Sequence, residues 1–230
     1  VKLTSKMDIE KNLADFLPSD VEAVVASERN YATMYNRQSE PRAILLAGQP
    51  GAGKTVLSSM LNKLLCGNVY FINADEYRRF HPNYKELYAR YGSDSVQMTS
   101  GFSGAVTERL IHETSERGIH LIIEGTGRTT DVPHRTAELL VKKGYRVELA
   151  VIATRPEHSL CSTLLRFYEM NERGTIPRAT AMEAHDYVVR VLPDNLDILR
   201  DDPVISGITI WDRTPTKIYD SCGTAECPYP

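Results

Sequence analysis

Gly48-Gln49-Pro50-Gly51-Ala52-Gly53-Lys54-Thr55 fits the pattern G-x-x-x-x-G-K-[ST] at every specified position. Glycines at that spacing let successive backbone N–H groups turn inward around an anion, and a helix starting behind them adds the positive end of its dipole. A lysine in the seventh place neutralises β- and γ-phosphate oxygens, and the neighbouring threonine hydroxyl is a magnesium ligand. Lys54 and Thr55 are therefore expected to hold a nucleoside triphosphate with Mg2+. The plainer alternative is a glycine-rich turn that merely begins a helix.

Phosphate binding becomes phosphate transfer only with an acceptor site, and carboxylates and arginines further along supply candidates. Asp75 closes the run Val69-Tyr70-Phe71-Ile72-Asn73-Ala74-Asp75, where it is expected to end a strand and take a proton from an attacking hydroxyl, or else to cap the next helix. Glu124 ends His120-Leu121-Ile122-Ile123-Glu124 in the same way, at the place where P-loop proteins keep the acid that organises magnesium; its alternative is a solvated loop carboxylate. The loop Gly125-Thr126-Gly127-Arg128-Thr129-Thr130 follows, with hydroxyls and one guanidinium suited to an anionic, polyhydroxylated ligand. Arg166 and Arg178 flank the stretch 167–177, which reads as a lid or helical hairpin whose arginines cover a transferring phosphate, or as surface ion-pair partners.

These side chains need a scaffold that brings strand ends together. Ala43-Ile44-Leu45-Leu46-Ala47 is a short apolar run followed at once by glycines, as in a strand buried on both faces of a parallel sheet. Further strands are expected at 69–74, 120–124, 146–154, 207–211 and 217–219, the last two closing an edge. Helices are expected at 53–65, from about 76, and at 101–117, 133–143, 157–170 and 180–199. Val188, Leu192, Leu196 and Leu199 share a face of the last one, with Pro193 bending it. Residues 8–28 read as helix broken at Pro18, with a second short helix from Asp20. This alternation defines an α/β fold: a P-loop kinase-like, doubly wound, mainly parallel sheet with helices on both faces. The division expected is a helical lead-in at 1–40, a P-loop domain at 41–221 and a flexible tail at 222–230.

The chain has 230 residues, 42% of them hydrophobic and 25% charged, as in ordinary globular domains, and no apolar run approaches the length of a membrane span. A net charge of −3 gives no global field for nucleic acid or anionic membranes, so an anionic ligand must be met by a local cluster. The start, VKLTSKMDIEKNLADFL, has no signal-peptide pattern, and a cytoplasmic setting is the default. Cys66 and Cys161 lie in apolar stretches and are expected to be reduced and packed. Cys222 and Cys227 are spaced too widely for a zinc knuckle and have no second ligand pair nearby.

The P-loop at 48–55, Asp75 followed by Phe80-His81-Pro82-Asn83-Tyr84, the run Ile123-Glu124-Gly125-Thr126-Gly127-Arg128-Thr129-Thr130-Asp131-Val132-Pro133, and Arg178-Ala179-Thr180 with His185-Asp186 occur in an order that resembles the bacterial zeta toxins over about residues 40–221. The resemblance implies a toxin of a toxin–antitoxin system that uses ATP and Mg2+ to phosphorylate the 3′-hydroxyl of the sugar in UDP-N-acetylglucosamine, blocking cell-wall precursor synthesis. It also implies roles. Lys54 and Thr55 serve the nucleotide, Asp75 is the general base, Glu108, Thr126, Arg128 and Thr136 hold the UDP-sugar beside Glu124, and Arg166 and Arg178 stabilise the transferring phosphoryl group. Glu108 and Thr136 carry no signal of their own, since each falls inside an expected helix. A small helical antitoxin that blocks the nucleotide site is the implied protein partner, while residues 1–40 are read as a lead-in with no regulatory role.

Two other readings keep the loop. One changes the acceptor to an antibiotic hydroxyl or a polynucleotide 5′-end, the latter disfavoured by the net charge of −3. The other is a nucleotide-binding module without catalysis, against which Asp75 argues.

Overall fold

The computed structural model describes residues 13–177 and 180–221. The described residues form a six-stranded sheet: β1 (Arg42–Ala47), β2 (Val69–Asn73), β3 (His120–Glu124), β4 (Arg146–Ile152), β5 (Gly207–Trp211) and β6 (Lys217–Asp220). Their order is β2-β3-β1-β4-β5-β6, parallel throughout except for β6, which pairs antiparallel with β5. β1 is central because its residues from Ala43 to Ala47 are buried, which requires cover on both faces.

The longer helices are α1 (Pro18–Ala32), α2 (Lys54–Leu64), α3 (Tyr84–Tyr91), α4 (Ser100–Glu116), α5 (Asp131–Lys142), α6 (Pro156–Glu172) and α7 (Met182–Arg200). One core layer joins α1, α4, α5 and α7 to the sheet through Val25, Phe102, Leu110, Leu140 and Leu199. The other packs Leu57 and Leu61 of α2 onto Ile44, Leu46 and Ile122. Successive strand residues point to opposite faces, so Ala43 and Leu45 serve the first layer while Ile44 and Leu46 serve the second. Each fully buried aliphatic side chain contributes roughly 1.5–3 kcal/mol.

The expected doubly wound sheet is present, with differences in detail. The helix expected from Asp20 begins at Pro18 and runs 15 residues to Ala32, because Val21, Val24 and Val25 supply a buried face. Asp75 does not end β2. The strand stops at Asn73, whose side chain accepts a hydrogen bond from Asp75 N and caps the short helix Ala74–Tyr77. α6 runs to Glu172, two residues past its expected end, and carries Arg166 and the start of the stretch read as a lid or helical hairpin, while Arg178 lies outside the described residues. Cys66 and Cys161 are free but exposed, so the expected packing of their thiols is corrected. Cys66 sits with φ 55 in the turn that ends α2, and Cys161 is on the outer side of α6. Val188, Leu192 and Leu199 are buried on one face of α7, with Leu196 packed against the same core.

Candidate functional site

β1, β2 and β3 are parallel neighbours, so their C-terminal ends deliver three chain segments to one edge of the sheet. Leu46 is in register with Glu124, and Glu124 with Asn73. The P-loop thus leaves β1 beside Glu124, and the turn carrying Asp75 leaves β2 one strand further out.

The P-loop is fastened from below. The Gln49 side chain donates to Thr154 O at 2.6 Å, and the Thr154 hydroxyl donates to Ala52 O at 2.7 Å. Gly51 has φ +76, and a methyl group there would overlap the carbonyl of Ser159 in the first turn of α6, so the loop rests directly on that helix. Gly53, with φ 107, is the N-cap of α2, and the helix begins at Lys54. The N–H groups of the first helical turn are therefore aimed at the place where an anion would sit.

Lys54 Nζ donates to Gly48 O at 2.8 Å and to Gln49 O at 3.3 Å, and it lies 3.9 Å from the Glu124 carboxylate. Burial lowers its pKa below the ordinary lysine value; the charges of Glu124 and then Asp75 oppose that shift, and Arg166 adds to it. The four side chains thus occupy one electrostatic neighbourhood, although they come from α2, the end of β3, the turn after β2 and α6. Glu124 also accepts from Asn73 Nδ2 at 3.0 Å. Asp75, about half exposed, accepts from Arg78 Nε at 3.0 Å, and Arg78 Nη1 donates to Val96 O and Thr99 Oγ1.

The loop after β3 is held at both ends. Gly125 N donates to Leu46 O at 2.8 Å, and Gly127 O accepts from Asn195 Nδ2 of α7 at 2.9 Å. Gly127 has φ +71, and a Cβ there would stand 2.5 Å from Leu192 Cδ1. The loop is pressed against α7, with Thr126 half-buried and Arg128 exposed. Glu108 is exposed on α4 and Thr136 half-buried on α5, and among the described residues neither hydrogen-bonds to the P-loop. Thr55 is exposed at the second position of α2.

Arg78, Asn73 and Asn195 are not among the site residues expected from the sequence. Arg78 lies three residues after Asp75, one turn along a helix, a spacing that pairs opposite charges. Asn73 and Asn195 had no signal beyond the ability of an amide to donate and accept.

The family model described as Zeta toxin matches residues 26–224. Toxin PezT of Streptococcus pneumoniae serotype 4 is 41% identical over 211 residues, which cover 91% of this chain and 83% of that relative. Toxin zeta of Streptococcus pyogenes is 41% identical over 185 residues, 80% of this chain and 64% of that relative. A solved structure described as a molecular and structural characterisation of the PezAT chromosomal toxin–antitoxin system of Streptococcus pneumoniae has a TM-score of 0.83 at 38% identity, covering 92% of this chain and 84% of that chain. The AvrRxo1-ORF1:AvrRxo1-ORF2 complex, at 15% identity and a TM-score of 0.60, shares the fold.

Proposed function

The chain belongs to the zeta toxin family, and from that premise we propose that it is a kinase that moves the γ-phosphate of ATP to the 3′-hydroxyl of the sugar of UDP-N-acetylglucosamine or a related UDP-sugar. The observation that supports this reading is Lys54 Nζ at 3.9 Å from the Glu124 carboxylate, with the charges of Asp75 and Arg166 also acting on the lysine.

In this account the P-loop N–H groups and Lys54 hold the β- and γ-phosphates. The sugar hydroxyl attacks the γ-phosphorus in line, an O–P bond forms as the bond to the β-phosphate oxygen breaks, and ADP leaves. Asp75 takes the hydroxyl proton, while Arg166 and Arg178 offset charge on the equatorial oxygens. Much of the acceleration in such a reaction comes from positioning the two substrates. The Thr55 hydroxyl and the Glu124 carboxylate are hard oxygen donors suited to Mg2+, and these two residues would hold it. When bound, the ion supplies charge neutralisation across the β- and γ-phosphate oxygens.

The loop 125–130 provides hydroxyls and Arg128 for an anionic acceptor, and Glu108, Thr126, Arg128 and Thr136 are assigned to the UDP-sugar through family membership. The PezAT structure is of a toxin–antitoxin system, and a small antitoxin protein that covers the nucleotide site is the corresponding partner proposed here.

The test is ADP release with Mg2+ across an acceptor panel of UDP-N-acetylglucosamine, its epimer UDP-N-acetylgalactosamine, an aminoglycoside and a 5′-hydroxyl oligonucleotide. Stimulation by the UDP-sugars alone is expected. Stimulation by the aminoglycoside or the oligonucleotide instead moves the acceptor assignment, and release indifferent to all four removes it.

A further inference from the structure

His185 and Ser159 are both fully buried, and the proposed transfer chemistry uses neither. His185 Nε2 lies 2.8 Å from Ser159 Oγ, and its Nδ1 lies 2.9 Å from the carboxylate of Asp186. The three residue types are those of a nucleophile relay. With serine and imidazole both sealed from solvent, no substrate carbonyl can reach the hydroxyl, and hydrolysis is ruled out.

What the line does reach is the P-loop. Ser159 Oγ is 3.3 Å from Gln49 Nε2, and the Ser159 backbone carbonyl is the atom on which Gly51 rests. Ser159 also has Pro156 O at 2.9 Å as an alternative acceptor for its hydroxyl. One hydroxyl proton cannot serve both Pro156 O and His185 Nε2. A carboxylate only accepts, so the tautomer that satisfies both contacts carries its proton on Nδ1 toward Asp186 and accepts the Ser159 hydroxyl hydrogen bond at Nε2. The Ser159 lone pairs are then free to receive the Gln49 amide. The imidazole in this way turns the serine hydroxyl toward α7 and its acceptor face toward the P-loop.

We propose that His185 is a positioning residue for the nucleotide: from α7 it fixes Ser159 of α6, and Ser159 seats Gln49 and Gly51 so that the P-loop amides converge on the phosphates. The inference rests on the P-loop holding the nucleotide. It gives a role to the His185-Asp186 pair, and it ties the helix that follows residues 178–181 to the phosphate site through two buried hydrogen bonds.

The experiment is calorimetric titration of the whole chain with a non-hydrolysable ATP analogue and Mg2+, comparing His185→Gln with His185→Asn. An asparagine amide replaces Nδ1 and keeps only the Asp186 contact. A glutamine amide reaches the Nε2 position and keeps only the Ser159 contact. His185→Asn is expected to weaken nucleotide binding about tenfold, and His185→Gln by less than about threefold. Both lose half of the imidazole bonding, so thermal midpoints should fall together while nucleotide affinities diverge. Ser159→Ala, a smaller change, should reproduce the weakening seen with asparagine. Equal affinities for the two His185 variants, or wild-type affinity in Ser159→Ala, would overturn the inference. Absence of nucleotide binding in the wild type would instead overturn the kinase reading on which it stands.

Discussion

Lys54 Nζ stands 3.9 Å from the Glu124 carboxylate, yet burial outweighs that attraction and holds the lysine pKa below its ordinary value. A lowered lysine pKa means that the folded chain binds this proton less well than the unfolded chain. The charged lysine therefore costs stability below its folded pKa, and the cost is relieved as pH rises from the folded pKa toward the unfolded one. Bringing negative phosphates to Lys54 relieves it at neutral pH. Lys54→Met is accordingly expected to keep or raise the thermal midpoint, by about 2 °C for a gain near 1 kcal/mol, while removing nucleotide affinity. Scanning calorimetry with and without ATP checks both parts.

Asp75 is assigned the proton from the acceptor hydroxyl. Asp75→Asn keeps the shape and the ability to accept from Arg78 but loses basicity. Turnover should fall by about 10²–10⁴-fold, with nucleotide and UDP-sugar affinities within a few-fold of wild type. Initial rates and calorimetry on the same preparation separate the two effects.

Arg78 holds Asp75 at 3.0 Å while anchored on Val96 O and Thr99 Oγ1. Arg78→Ala leaves the proposed base present without this anchor. The expected result is a fall in kcat of about tenfold or more with KM for ATP unchanged, because a misplaced catalytic group acts on the chemical step. Steady-state kinetics with ATP varied at saturating acceptor gives the answer.

Gly127 sits at φ +71 with Leu192 in the space that a side chain would fill. Gly127→Ala should cost about 1–3 kcal/mol of stability and raise KM for the UDP-sugar more than KM for ATP, since the strained segment belongs to the loop proposed to hold the acceptor. Asn195→Ala, which removes the amide bonded to Gly127 O, should raise the acceptor KM without backbone strain. Denaturant unfolding together with acceptor titration checks the pair.

The sequence showed the sheet because buried parallel strands are short apolar runs, and the run 43–47 followed by glycines admits few other readings. It showed the P-loop because phosphate wrapping demands glycine and lysine at fixed spacing. Less visible was anything that depends on the route of the chain between elements. The strand before Asp75 ends at Asn73, one residue short of its expected end, because Asn73 caps the following turn, a competition between strand pairing and a local side-chain bond that periodicity does not register. Cys66 and Cys161 looked packed from their apolar neighbours but are exposed, Cys66 because it lies in the turn after α2 and Cys161 because a helix buries one side only. Arg78, Asn195 and the contact of Ser159 with His185 join residues far apart or of unremarkable type, and only the folded chain brings them together.

Mass spectrometry of UDP-N-acetylglucosamine after incubation with the purified chain, ATP and Mg2+ decides the proposed transfer. A UDP-sugar heavier by one phosphate is expected, formed with stoichiometric ADP and about 10²–10⁴-fold more slowly with Asp75→Asn. An unchanged UDP-sugar in the presence of an ATP-binding wild-type chain, or product formed as fast by Asp75→Asn, would contradict it.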